Sequence, residues 1–300
     1  MVMSERSIES LYEQVRALVP AQVCDAPPHV VPVAPGIRVV ALRSPTLPPA
    51  AHTNGYLIGP EGGPLVVVDP GSPFEDQQAA LNDLLGEVPI AMIALTHHHG
   101  DHVGGATALA ARTGAPIAAH PATAERLDGV VSVSQLVADG DVVHGLTAVH
   151  TPGHAAGHLC FEYGRATIAG DLVAGLGTIL IDPDEGDMAA YLASLERLLA
   201  RDGAASGRGS TTLLPAHGPP IADGAGKLRE YLAHRRMREE RVLGALAARP
   251  STLAELLAVA YGDTPTALWP LAERSLLAHL IKLAREGRAH SDGSGAWSRL

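Results

Sequence analysis

The stretch "LTHHHGDHVGGA", residues 95–106, places His97, His98, His99, Asp101 and His102 within six positions, straight after the apolar run "IAMIA" at 90–94. Apolar residues without a break predict a buried strand, so the histidines stand where a strand runs into a loop. Alternate residues of an extended segment point the same way. His97 and His99 therefore face one point, and His98 faces away toward the protein. Asp101 and His102 follow at the turn into the next helix, "GGATALAARTG" (104–114), within reach of a second point. Imidazole nitrogen and carboxylate oxygen are metal ligands. Gly100, Gly104 and Gly105 are expected to let the backbone pass close to such a cluster.

The same arrangement recurs along the chain. Short β-branched runs end in metal-capable residues: "PLVVVDPG" in Asp69, "TAVHTPGH" in His154, "ATIAGD" in Asp171 and "TTLLPAH" in His217. Strand ends are where a rigid sheet holds loop residues over one cleft. Between them lie amphipathic helical patterns at 73–88 and at 187–203, the latter capped by Asp187. Strands alternating with helices, with antiparallel hairpins mixed in, predict an α+β fold of two mixed sheets with outer helices. From Gly226 the texture changes. A long basic helix (227–250), a second helix (251–262) opening on a cap-like Ser251…Glu255 pattern, a third (268–287) and an Asp-Gly hairpin (288–300) predict a winged-helix layout. The expected units are 1–225, catalytic, and 226–300, winged-helix-like.

The run Thr96-His97-His98-His99-Gly100-Asp101-His102, followed in order by His154 in "TPGHAAGH", Asp171 in "IAGD" and His217 in "LPAHGPP", resembles the metallo-β-lactamase superfamily from Asn54 to Pro220. Four separated pieces in order are far more specific than any one alone. The resemblance implies the αβ/βα sandwich of that superfamily. It implies a first metal on His97, His99 and His154, a second on Asp101, His102 and His217, and Asp171 bridging both. Asp101 and Asp171 are then the catalytic acids, with Thr96, His98 and Asp69 supporting the metal loop. The expected cofactor is Zn2+, two per subunit, with iron or manganese also compatible with these ligands. His158 is read as a supporting or core residue before a ligand, and His120 stays ambiguous. His29, His52, His144, His234, His279 and His290 are read as structural or surface residues.

With its tail, beginning "HRRMREERVLGAL", the chain is similar to the beta-lactamase-like protein 2 group, which joins such a metal domain to a winged helix. The group implies metal-dependent endoribonuclease action on single-stranded RNA. Related bacterial and fungal proteins are acyl-thioester hydrolases, including enzymes that release polyketides from carrier proteins. Charge separates the two readings. Residues 226–300 carry twelve Lys/Arg against eight Asp/Glu, and residues 1–225 carry ten against twenty-four. The basic tail suits a phosphate backbone. The acidic catalytic half repels one, and two Phe, two Trp and six Tyr are few for stacking bases. A small-molecule or acyl-carrier substrate, a thioester or lactone, is therefore expected ahead of RNA. A third reading makes the tail a dimerisation or DNA-binding module. The third helix, mostly Leu and Ala with Arg274, Lys282 and Arg285 scattered, predicts packing over base reading.

No apolar run approaches the roughly 20 residues of a membrane helix. The opening "MVMSERSIESLYEQVRALVP" has no signal-peptide h-region. Cys24 and Cys160 are too few for a disulfide framework. A cytoplasmic setting is expected.

Overall fold

The computed structural model describes residues 8–22, 26–202, 211–247 and 249–300. Cys24 and the Gly/Ser-rich loop at 203–210 lie outside the described residues. Helix α1 (Ile8–Leu18) leads into the first sheet. Its strands are β1 (Val31–Ala34), β2 (Ile37–Arg43), β3 (His52–Ile58) and β4 (Leu65–Val68), then, after helix α2 (Glu75–Leu85), β5 (Ile90–Ala94). Helices α3 (Gly100–Val103) and α4 (Ala106–Thr113), strand β6 (Ile117–Ala119), helix α5 (Pro121–Arg126) and strand β7 (Gln135–Leu136) complete this half. The strands lie in chain order, antiparallel from β1 to β4 and parallel from β4 to β7.

The second sheet contains β8 (Val142–Val143), β9 (Leu146–His150), β10 (Leu159–Tyr163) and β11 (Ala166–Gly170). After helix α6 (Met188–Arg201) comes β12 (Thr212–Pro215), which pairs parallel with β11 in the order β12-β11-β10-β9-β8. Alternation along each strand sets the layers. Val66 and Val68 of β4, with Met92 and Ala94 of β5, meet Leu146, Leu159, Phe161 and Ile168 between the sheets. Leu65, Val67 and Ile93 face outward under Leu81, Leu85 and Leu109 of α2 and α4. Strands buried on both faces carry no polar alternation, which is why "LVVV" and "IAMIA" read as continuous apolar runs.

The tail begins with helix α7 (Gly224–Ala245), which ends five residues short of the helix predicted to reach 250. Strand β13 (Ser251–Thr252) follows, then helix α8 (Leu253–Ala260), whose cap is Thr252 in a reciprocal capping box with Glu255. The predicted Ser251 cap is thus corrected by one residue, because Ser251 pairs with Trp297 in the wing. Helix α9 (Trp269–Arg285) and strands β14 (Ala289–Ser291) and β15 (Ala296–Arg299) complete a winged helix with its own core of Val242, Leu256, Leu276, Leu280, Leu283 and Trp297. The tail also docks. Leu228, Tyr231 and Leu232 of α7 and Ala278 of α9 share one core with Leu195 and Leu198 of α6. Each buried leucine in this seam contributes about 1.5–3 kcal/mol.

Candidate metal centre

Five strand ends deliver the site. Asp69 follows β4, His97 follows β5, His154 follows β9, Asp171 follows β11 and His217 follows β12. His99 is the residue before α3, and that single turn carries Asp101 and His102. The cluster thus gathers the ends of both sheets at one rim. Tight backbone crossings make this possible. A Cβ on Gly105 would lie 2.2 Å from Pro70 O, and one on Gly153, at φ +135°, 2.3 Å from the Tyr191 backbone. Gly104 is similarly confined, but a Cβ on Gly100 would meet nothing within 4 Å. The close packing expected at Gly100 is therefore absent.

The structure brings together all seven residues expected to bind metal, in two nests. In the first, His97 Nε2 and His99 Nδ1 are 2.9 Å apart, His154 Nε2 and His99 Nδ1 2.9 Å, and His154 Nε2 and His97 Nε2 3.3 Å. In the second, His217 Nε2 lies 3.5 Å from Asp101 Oδ2, and His102 Nε2 lies 3.9 Å from Asp101 Oδ1. Asp171 stands between the nests. Its Oδ2 is 3.5 Å from His154 Nε2, and its Oδ1 is 3.3 Å from His217 Nε2 and 3.6 Å from His102 Nε2.

The outer nitrogen of each ring shows which nitrogen is bare, because carboxylate and carbonyl oxygens only accept. His154 Nδ1–H donates to Leu180 O at 2.8 Å, and His217 Nδ1–H to His52 O at 3.0 Å. His102 Nδ1–H donates to Asp69 Oδ2 at 2.8 Å, and His99 Nε2–H to Glu185 Oε2 at 2.9 Å. Thr96 Oγ1–H donates to Asp69 Oδ2 at 2.6 Å, so its lone pair accepts His97 Nδ1–H at 3.0 Å. In the first nest the inward nitrogens of His97, His99 and His154 are therefore lone pairs aimed at one another, while in the second those of His102 and His217 face the carboxylates of Asp101 and Asp171. The first arrangement repels itself unless a cation sits among the three rings, and the second concentrates negative charge that a cation offsets. His102 Nε2 and Asp171 Oδ1 are buried with no hydrogen-bond partner among the described residues, an omission that is costly in a protein interior. Both observations fit divalent metal, and the outward anchoring is what metal-ligating histidines require.

The electrostatics divide the same way. Burial first, then the neighbouring imidazoles, keep His97 neutral well below the ordinary histidine range, and push His154 down to about 4. Burial also opposes charge on His102 and His217. There the carboxylates outweigh it, Asp101, Asp171 and Asp69 raising His102, and Asp171 and Asp101 raising His217. The second nest thus attracts positive charge, which a divalent ion supplies in place of protons.

The supporting residues resolve differently. Asp69, 2 % exposed, accepts from Thr96 N at 2.8 Å as well as from Thr96 Oγ1 and His102. His98 has neither ring nitrogen hydrogen-bonded and lies 3.7 Å from Glu185 Oε2. His158 accepts from Asp171 N at 3.1 Å through Nε2, with Thr151 Oγ1 2.8 Å from its Nδ1. It holds the bridging loop and offers no free nitrogen to a metal. His120 is remote, stacked on His150 at 4.1 Å. Glu185 escaped the reading of the sequence. Its signal was the acid-rich "DPDEGD" loop (182–187), which does not say which acid turns inward.

A cleft of about 630 Å³ opens over the cluster. Asp101, Asp171 and His217 line its floor, and Leu47, Leu176, Ile179 and Leu271 are among its walls. The tail closes one side through α7, α9 and the segment between α8 and α9 that carries Tyr261 and Thr264.

Residues 48–206 match the family model described as the Metallo-beta-lactamase superfamily, and residues 252–297 match that of the Beta-lactamase associated winged helix domain. A Beta-lactamase-like protein 2 homolog from Drosophila melanogaster is 31 % identical over 258 residues, 79 % of this chain and 83 % of that protein. An Atrochrysone carboxyl ACP thioesterase from Claviceps purpurea is 30 % identical over 285 residues, 87 % of this chain and 86 % of its own. Among solved structures, a Beta-lactamase domain protein from Burkholderia ambifaria superposes with a TM-score of 0.76 at 21 % identity, covering 93 % of this chain and 96 % of that one.

Proposed function

Because the chain belongs to the metallo-beta-lactamase superfamily of metal-dependent hydrolases, we propose that it hydrolyses an acyl substrate, a thioester or lactone, at a dinuclear zinc centre. His97, His99 and His154 would hold one metal and Asp101, His102 and His217 the other, with Asp171 placed between the two nests. The observation that carries this reading is the pair of adjoining nests, one of three imidazoles and one of imidazoles with a carboxylate, on the floor of one cleft. A relative named as an acyl-carrier-protein thioesterase, similar over most of both chains, supports the substrate class.

Two divalent ions in such a site supply a water activated near neutral pH and a positive field for the oxygen that gains charge. The chain's own residues do the rest. Asp171, deprotonated because His217 and His102 outweigh the penalty of its burial, fixes the spacing of the nests. Asp101 lines the cleft and is held as a carboxylate against burial by His102 and His217. It orients the attacking water and moves its proton toward the leaving group. The apolar walls hold the acyl chain and exclude bulk water.

The ribonuclease alternative needs unpaired cations along a polyanion path. The tail's cations are largely engaged. Arg238 and Arg241 pair with Asp263 at 2.6 Å, Arg274 with Asp182 at 2.6 Å, Lys282 with Glu239 at 2.6 Å, and Arg285 with Asp187. All three basic residues of α9 are thus bound to acids. The test compares zinc-loaded protein, chelator-treated protein and Asp171→Ala on a thioester and lactone panel and on labelled single-stranded RNA. Acyl hydrolysis that falls by at least about 10–100-fold in the variant, together with loss of bound metal, is expected. An Asp171→Ala protein with two metals and full rate overturns the assignment. Metal-dependent RNA cutting without acyl hydrolysis overturns the substrate class.

A further inference from the structure

The buried face of α7 is set by helical spacing: Leu228, Tyr231, Leu232 and Arg235 all turn inward. The fourth of these positions calls for an apolar residue and holds an arginine that is 3 % exposed. Its Nη2 donates to Ile179 O and, at 3.5 Å, to Thr178 Oγ1, and its guanidinium carbon lies 5.4 Å from the Tyr191 ring centroid. Nε has no hydrogen-bond partner among the described residues. Among the described residues no carboxylate lies within ion-pair distance of Arg235, whereas its more exposed helix neighbours Arg236, Arg238 and Arg241 each have one. A buried charge without a counter-ion is costly to keep.

The position of this cation gives it a use. Arg235 lines the same cleft as Asp101, Asp171 and His217, on the wall built by the tail beside Tyr261 and Leu271. The acids of the cleft floor are already engaged with histidines. A guanidinium recognises carboxylate and phosphate oxygens with directional, charge-assisted bonds. We propose that Arg235 anchors an anionic group, a carboxylate or a phosphate, carried by the substrate away from the bond that is cut. This inference rests on the acyl-hydrolase reading for the identity of that bond, and makes the substrate an anionic acyl compound.

Binding tests it without turnover. Calorimetry on zinc-loaded protein uses ketone isosteres in which CH2 replaces the thioester sulfur. One pair is glutaryl against pentanoyl N-acetylcysteamine, with the charge on the acyl side. The other is pentanoyl 4′-phosphopantetheine against pentanoyl pantetheine, with the charge on the leaving group. The wild type is expected to favour the charged member of one pair at least about tenfold, and that pair names the source of the anion. Arg235→Gln brings the ratio close to one, and Arg235→Lys, which keeps charge without the fork, retains part of it. Equal binding within both pairs by the wild type overturns the proposal, as does a ratio that survives Arg235→Gln. The parent thioesters are assayed beside them. Charge discrimination without hydrolysis sinks the acyl reading and leaves the subsite standing, and hydrolysis without discrimination does the reverse.

Discussion

Asp69 shows how much one side chain can organise. Its two oxygens take the Thr96 amide, the Thr96 hydroxyl and the His102 ring proton, and through Thr96 it also orients His97. One carboxylate thus sets the tautomer of a candidate ligand in each nest. Asn keeps one acceptor oxygen and turns an NH2 group toward donors. Asp69→Asn is therefore expected to weaken metal binding by about 10–100-fold, most at His102, while the fold survives. Titration with a competing chelator reads this directly, and unchanged affinity at both metals would remove Asp69 from the site. The "DPGS" turn accounts for an aspartate here in the sequence, but Asp69 sits at φ +49°, a strained choice for a non-glycine residue. Its three accepted bonds are the reason it is held there.

At the scale of elements, the winged helix is tied by Glu239 of α7. This carboxylate pairs with Lys282 of α9 at 2.6 Å and with Arg288 at 3.0 Å, with His279 Nδ1 at 3.9 Å. The facing His279 ring and the ammonium of Lys282 outweigh partial burial and bring its pKa down to about 2. A carboxyl lowered by folding stabilises the folded state above its unfolded value, near 4.5, and loses that contribution as pH falls through about 2. The melting temperature of the wild type should accordingly drop between pH 5 and 2 more steeply than that of Glu239→Gln. Parallel melting curves for the two proteins would show that these contacts add nothing to stability, as many exposed pairs do.

Across the whole molecule, the tail reaches back to the metal nests. Arg274 of α9 holds Asp182 with a two-pronged pair, Nε to Oδ2 at 2.7 Å and Nη2 to Oδ1 at 2.6 Å. Asp182 is 4 % exposed, and its backbone oxygen accepts from Glu185 N at 3.3 Å. Glu185 in turn holds His99. An interaction spanning 92 positions therefore ends on a candidate ligand. Arg274→Ala leaves a buried carboxylate without its partner, a change that costs about 3–5 kcal/mol. It is also expected to loosen the first metal roughly tenfold. Thermal melts and metal titration together check this, and lost stability with unchanged metal affinity would confine Arg274 to a structural role.

The local pattern of residues determined the histidine loop, the strands that end in Asp69, His154, Asp171 and His217, and the winged-helix order of the tail. Those signals are local, because a strand's burial and a helix's spacing are written in neighbouring residues. Convergence of the two nests was legible only through the order of the pieces. Tertiary structure alone decided that Glu185 turns inward, that His158 holds the Asp171 backbone, and that Arg235 lies in the cleft wall with no carboxylate beside it among the described residues. Each of those outcomes depends on which distant atoms share a few ångströms, and in such a space desolvation makes every partner, or its absence, count.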